Sequence, residues 1–477
     1  MSARLARYFE AVNTSLYRSR RGGGQSADAV MDRARGRLRE YARWLDENLD
    51  LAVGVLDDLV TNIVGSGIAM EPMVLTTSGE PHEATNRQLR DLWREFWEWP
   101  EVTGELAGDE LDALLCRTWL RDGEVFIQHV INRNLANYRT RVPYALEVLE
   151  ADYVPFDLTT DTVTHGVQKN TWGQPVAYTV YKTHPGALRG GASLDTKVIP
   201  AALMTHVKHV RRMGQTRGVS IFHAVLNRLD DIKDYEESER IAARIAAALT
   251  AYIKRNGDYE TPENADGSRA FEMAPGLIFD NLLPGEDVGT IKSDRPNANL
   301  ESFRDAQLRA VAAGTGSRFS SIAKNYNGTY SAQRQELIEG SQHYRRLFTQ
   351  YKHQCRLPIW IRFIDACKLA GLLKVPASVN DVTLYRPEVR MPALPWIDPQ
   401  KELNAFQIAL SCGLKSRRQI IRDMGGDPNE VDAQIAGDPL NQTLLNPATP
   451  AVSDAPADSP EPDAPATPSD AALQEAA

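Results

Sequence analysis

Cysteine is scarce and unpatterned. The 477-residue chain carries four, Cys116, Cys355, Cys367 and Cys412. None form a C-x-x-C, which leaves no disulfide framework and no zinc ribbon and fits a reducing compartment. A long apolar run is missing too. The longest, "LAVGVLDDLVTNIVGSGI", is interrupted by Asp57, Asp58 and Asn62 and cannot span a membrane. The opening "MSARLARYFEAVNTSLYRSRR" lacks the apolar core of a signal peptide, so synthesis in the cytosol is expected.

Catalytic signatures are equally absent. The glycine clusters "RGGGQ" and "GTGSRFSS" lack the Lys-Ser/Thr pair with which a phosphate loop holds nucleotide and magnesium, and neither has G-x-G-x-x-G spacing. No G-x-S-x-G elbow or H-E-x-x-H motif occurs. His206 and His209 ("HVKH") could share a helix face, but no acidic or cysteine ligand lies near them in sequence, and they read as ordinary histidines. "RDGEVF" reads as a turn feeding a strand, with nothing nearby for Glu124 to pair with. No cofactor and no metal are expected.

What the chain has is an ordinary globular composition, 42% hydrophobic and 25% charged, with an uneven distribution of charge. Of the formal net charge of -9, the stretch from Pro447 to Ala477 supplies six acids and no base, so the remainder is nearly neutral at -3. Seven prolines and no aromatic mark that stretch as a disordered tail. Residues 1–40 hold nine arginines against four acids, a basic arm that reads as a nucleic-acid contact or as a solvated helix face. "NYNGTYSAQRQELIEGSQHYRRLFTQYKHQCRLPIW" (325–360) poses the same alternatives, with a partner subunit as a third.

Periodicity gives the organisation. Residues 28–64 read as one amphipathic helix, striped by Leu38, Tyr41, Leu45, Leu49, Ala52 and Leu56 and stopped at Gly65 and Gly67. A Trp-rich helix (Trp93, Trp97, Trp99) precedes short β-type runs, "EVFIQHVI", "YALEVLE", "GVQKN" and "PVAYTVYK", in a sheet-containing region over 123–200. Residues 220–256 read as a strut-like helix about 55 Å long at 1.5 Å per residue. Its stripe is Ile221, Val225, Leu229, Ile232, Tyr235, Ile241, Ile245, Leu249 and Tyr252, and its other faces are acidic. A turn-rich segment, a shorter helix and a Gly/Ser/Asn-rich loop from Gly314 to Gly328 follow. Another long helix then runs from Tyr330 to Gly371, with Ser331 placed to cap it and a kink expected at Pro358. A pair of short helices near 399–436 precedes the tail.

Several of these stretches, in order, resemble the lambda-type portal proteins of tailed bacteriophages over residues 30–436. "ENLDLAVGVLDDLVTNIVGSGIAMEP" is similar to the family's N-terminal helix and V-G-x-G-I turn. "RDGEVF", "LEVLEADYVP" and "GVQKNTWGQPVAYTVYKTHP" are similar to its strands. "RRMGQTRGVSIFHAVLNRLDDIKDYEESERIAA" resembles its R-x-G-Q-x-R-G-V-S entry into a long helix and is the most specific stretch. "PGLIFDNLLPGEDV", a Y-S-x-x-R at Tyr330, Ser331 and Arg334, and "DPQKELNAFQIALSCGLKSRRQIIRDMGGDPNEV" complete the series. Asn325-Tyr326 stands where the family often has an acid beside an aromatic.

The resemblance implies an α+β portal fold of wing, stem, clip and crown in a homododecameric ring at one capsid vertex. On it, 1–27 is a basic arm, 28–218 the wing, 219–256 stem helix 1, 257–298 the clip, 299–313 stem helix 2 and 314–329 the tunnel loop. Residues 330–397 are the long helix and wing return, 398–446 the crown helices and 447–477 the disordered acidic tail. It implies no catalysis and no membrane. Its partners are other copies of the chain, double-stranded DNA passing through the channel, the terminase large subunit, major capsid and scaffold proteins, and head–tail adaptors. The place implied is the portal vertex of the virion, with assembly in the host bacterial cytoplasm.

A DNA channel must not grip its cargo, because every cation that neutralises a phosphate adds attraction. The near-neutral fold suits passage, and Arg318, Lys324, Asn325 and Asn327 in the tunnel loop are the candidates for transient contact or for hydrogen bonds between subunits. Their exposed charges are expected to contribute little to stability. Ile241, Ile245, Leu249, Tyr330 and Arg334 are the subunit-packing candidates. A terminase would need a phosphate loop and metal-binding acids. A capsid or connector adaptor without a DNA channel is the alternative reading. Deleting Asp454–Ala477 should leave melting temperature and assembly unchanged, as calorimetry and electron microscopy would register; loss of soluble protein would make the tail structural.

Overall fold

The stretch expected as one helix over 28–64 forms three. In the computed structural model these are α1 (Ala27–Ala34), α2 (Arg37–Asn48) and α3 (Asp50–Ile63). Between α2 and α3 Leu49 is extended (φ -128°, ψ 114°). Leu45 and Leu49 then bury with Leu51, Ala52, Val55, Leu56, Leu59 and Ile63. The structure describes residues 24–34, 36–132, 139–187, 195–247, 251–255, 286–290, 299–392 and 399–438. It divides into two compact units, Met1–Leu394 and Pro395–Ala477.

In the first unit, Gly65 and Gly67 end α3 with φ of 55° and 130°, the left-handed side that glycine enters freely. β1 (Ala69–Glu71) leads to α4 (Glu83–Glu98), whose Trp93 stacks on Trp97 with ring centroids 5.2 Å apart. α5 (Gly108–Asp122) turns through Gly123 into β2 (Glu124–Ile131). β2 is the centre of an antiparallel sheet, flanked by β3 (Tyr144–Leu149) and β8 (Met204–Lys208). A second antiparallel sheet runs β4 (Val163–Thr164), β5 (Val167–Lys169), β6 (Pro175–Tyr181) and β7 (Thr196–Pro200). Alternate residues of β2 feed different cores. Val125 and Ile127 join the large core with the helices, while Phe126 joins Val167, Tyr178, Val180 and Ile199 in a smaller one.

The long helix expected over 220–256 is shorter. A 3₁₀ turn (Ile221–Ala224) precedes α6 (Leu226–Ala247), 22 residues or about 33 Å long. Ala251–Arg255 is instead β9, paired antiparallel with β10 (Glu286–Thr290) from Ala251↔Thr290 to Arg255↔Glu286. The aromatic and β-branched pair Tyr252-Ile253 found a strand partner, which the helical period could not foresee. α7 (Leu300–Thr315), α8 (Phe319–Ala323), α9 (Tyr330–Tyr351) and α10 (Leu357–Leu369) follow.

Between α9 and α10, Lys352–Arg356 forms a π turn. Pro358 lacks an N–H and its ring crowds the carbonyl four residues back, so the widened turn sits just ahead of it, where a kink was expected. The turn sets Gln350 and Gln354 against β8: Gln354 Oε1 accepts from Lys208 N (2.7 Å) and Gln350 Nε2 donates to Lys208 O (3.1 Å). α11 (Asp381–Leu384) precedes β11 (Glu388–Arg390), which pairs with β1.

The second unit holds α12 (Pro399–Ser411), α13 (Arg417–Asp423) and α14 (Pro428–Gly437), three helices where a pair was expected. Ser416 and Asp427 cap the last two. The tail after Pro447 and most of the basic arm lie outside the described residues.

Gly123 has φ 90°, and a Cβ there would lie 2.3 Å from the carbonyl carbon of Val219; a Cβ on Gly218 would lie 2.0 Å from Gly123 O. Gly173 (φ 77°) has nothing within 4 Å. Gly173→Ala should therefore lose about 1 kcal/mol from backbone strain alone, and Gly123→Ala ~3 kcal/mol or more, measured by urea denaturation. Equal losses would mean that the crossing of the two segments is not tight.

Candidate functional site

Three stretches separated in sequence meet at one side chain. Arg217 is fully buried and uses its guanidinium as a junction. Nε donates to Glu124 Oε1 (2.7 Å), Nη1 to the carbonyls of Val154 (3.1 Å) and His165 (2.9 Å), and Nη2 to that of Ala151 (2.9 Å). Glu124 Oε2 accepts from Gly218 N (2.8 Å) and faces His206 Nε2 at 2.9 Å. "RDGEVF", "LEVLEADYVP" and "TRGVS" are thus one structural feature. Glu124 and His206, which the sequence left without partners, have each other.

Burial would raise the Glu124 pKa, but Arg217, His206 and the Gly218 N–H outweigh it and hold the carboxyl at about 2. Burial pushes His206 down to about 4 against the pull of Glu124, so it is a neutral donor on β8. His209 is also held at about 4 by burial, with Nδ1 3.0 Å from Val219 O. His129, likewise pushed to about 4, sits between Tyr144 Oη (2.8 Å) and Thr205 Oγ1 (2.9 Å). The hydrogen bonds of this cluster tie β2 and β8 to the segments at 151–154, 165 and 217. Glu150, Asp152 and His184 also lie close together, but Arg39 (2.9 Å) and Arg43 (2.7 Å) already neutralise Asp152.

The surface features lie elsewhere. The stretch expected to be a loop from 314 contains α8, set off by two left-handed residues, Gly316 (φ 76°) and Lys324 (φ 51°). Beyond Lys324 the chain is a true turn: Asn325 Oδ1 accepts from Asn327 N (3.0 Å), and Gly328 N donates to Tyr326 O (2.9 Å). Thr329, not Ser331, caps α9 by accepting from Ala332 N (3.3 Å). Lys324 and Asn327 are exposed, Asn325 is half-buried, and Tyr326 is 59% exposed. Arg318 differs from these neighbours. It is folded inward onto Asp58 (3.2 Å) with its guanidinium 5.7 Å above the Tyr344 ring, so its charge is not the idle one expected.

The packing candidates divide similarly. Leu229 and Ile232 are buried at the start of α6, but Ile241, farther along the helix, is 48% exposed. Ile245 belongs to α6 but its side chain, like all of Leu249, lies outside the described residues. Tyr330 is 46% exposed in the first turn of α9, and Arg334 is exposed on the next. Asp58 was missed as a functional residue; an acid inside the apolar run "LDDLV" was the available signal.

The α+β chain thus presents a polar turn at 324–329 and a half-exposed Ile241 on α6. A family model described as "Phage portal protein, lambda family" matches residues 14–347, and the chain belongs to that structural family. It is 27% identical over 458 residues to the "Probable portal protein" of Halomonas phage phiHAP-1, covering 91% of this chain and 85% of that one. It is 20% identical to "Portal protein B" of Escherichia phage lambda, covering 56% of each. Among solved structures, a chain of "Neck of native GTA particle computed with C12 symmetry" matches at 15% identity and a TM-score of 0.47, over 82% of this chain and 94% of that one. Among the described residues no helix is long and apolar enough to cross a membrane.

The buried ionisable groups set a pH dependence. Histidines held at about 4 when folded but near the usual 6.5 when unfolded bind protons preferentially in the unfolded chain between those values. Stability should fall as pH drops from 6.5 to 4, by about 1 kcal/mol per pH unit for each fully contributing histidine. Glu124, held at about 2 against 4.5, adds a further loss from 4.5 downward. Urea midpoints at pH 7 and pH 5 would measure this, and His129→Gln should shrink the difference by about a third if the three contribute alike. A midpoint indifferent to pH would mean these histidines are not buried neutral.

Proposed function

We propose that this chain is the portal subunit of a tailed phage or phage-like particle, and that copies of it close into a dodecameric ring through which DNA enters and leaves the capsid. The observation that carries the reading is the portal family match over residues 14–347. The half-exposed Ile241 supports it, because an apolar stripe that outruns its intrachain partners needs a neighbouring copy to bury it. On this reading the subunit is an inert conduit with no catalysis of its own. The terminase large subunit supplies the driving force, capsid and scaffold proteins hold the ring, and head–tail adaptors cap it.

The proposed layout is a wing over 28–218, a stem starting at 219 and closing with α7, a clip over 257–298, and crown helices over 398–446. The turn carrying Lys324, Asn325, Tyr326 and Asn327 faces the axis, with Arg318 at its root. Exposed polar groups on a narrow turn can touch passing phosphates weakly and in succession, which steadies DNA without stopping it.

Lys324→Ala combined with Asn327→Ala should leave melting temperature and ring yield unchanged while nuclease-protected DNA per particle falls. Ile241→Asp should abolish rings by placing an unpaired charge in a packed stripe. Imaging of the purified chain reads both, and a protein that stays monomeric at high concentration, with and without scaffold, would overturn the ring.

A further inference from the structure

We propose that Asp58 is a positioning residue for the turn at 324–329: it anchors Arg318, and through Arg318 it holds α8 and fixes where Lys324, Tyr326 and Asn327 stand. The role assigned to that turn rests on the portal reading; the anchoring itself does not.

α8 has five residues, far too few to persist alone, and left-handed residues on both sides isolate it from α7 and α9. Something outside must hold it. On one flank a cavity of about 370 Å³ opens beside it, lined by Arg309, Ser317, Phe319, Glu336 and His343 among others, with the Arg309 guanidinium 4.8 Å over the Phe319 ring. The other flank faces α3, where Asp58 is nearly buried within the apolar stripe.

Asp58 gathers contacts from three elements. Its Oδ1 accepts from Arg318 Nη2 (3.2 Å) and from Asn62 Nδ2 (3.3 Å). Its Oδ2 accepts from Tyr344 Oη (2.6 Å) and lies 3.4 Å from Arg318 N, the N-cap amide of α8. The path of Arg318 is prepared for it: a Cβ on Gly340 of α9 would stand 2.9 Å from Arg318 Cγ, so glycine lets the side chain cross the helix. Ser320 N donates to Glu336 Oε1 (3.0 Å), a second tether. A nearly buried carboxylate that loses its cation is left uncompensated, so this contact resists opening more than a surface pair would.

The test is hydrogen exchange of the amides of 319–323 in the full-length protein, with α3 and β2 amides as the control for global unfolding. Asp58→Asn and Arg318→Ala should each speed exchange at 319–323 by about tenfold to a hundredfold, and the double variant no more than the stronger single one. Tyr344→Phe, which keeps the core packed, should give a smaller acceleration, and Lys324→Ala none. Unchanged exchange in both Asp58→Asn and Arg318→Ala, or effects that multiply in the double variant, would overturn the anchor. Packaged DNA per ring is read alongside. If exchange responds as expected but packaged DNA does not fall in Arg318→Ala, the anchor stands and the channel role of the turn is what fails.

Discussion

Everything in the first unit's sheet region leans on the burial of one guanidinium. Arg217 gives its donors to three backbone carbonyls and one carboxylate, drawn from three places in the chain: Glu124, the turn at 151–154 and His165. A fully buried cation is tolerable only when paired and fully hydrogen-bonded, so the segments that satisfy it must arrive together or not at all. The glycines at 123 and 218 let the two backbones approach closely enough for Glu124 to reach both Arg217 and Gly218 N. The start of β2, the turn after β3 and the approach to α6 are thereby fixed with respect to one another.

That junction also separates what is rigid from what is presented. α6 leaves it with its first apolar residues buried and continues to an exposed Ile241, while α3 and α9 share Asp58 as the base on which the polar turn is mounted. The interior contains charge, but much of it is paired within the fold, as Glu124 with Arg217 and Asp58 with Arg318. On the proposed reading, a subunit that surrounds a polyanion without holding it benefits from keeping its strong electrostatics inside the fold.

Much of this could be read from residue order. Short β-type runs marked β2, β3 and β6, glycines marked the end of α3, and the ordered motifs brought out the portal resemblance that the family match supports. Other features depend on contacts that no local pattern carries. Glu124 and His206 are 82 positions apart, and neither looks paired until β2 and β8 lie side by side. The helix break at Leu49 leaves no mark in the spacing of the stripe, and β9 is a strand because β10 is there to receive it. Arg318 looked like a surface cation because its neighbours are polar and small, whereas its partner Asp58 lies 260 positions earlier on α3.

The side-chain amides of Gln350 and Gln354 occupy both polar groups of Lys208 on the outer rung of β8. An edge strand ordinarily invites another strand to add to it, and a protein gathered at high local concentration meets many copies of its own edges. By offering β8 a counterfeit strand made from two glutamines on a helix, the fold blocks that rung to strand addition. A strand that meets that rung finds no template.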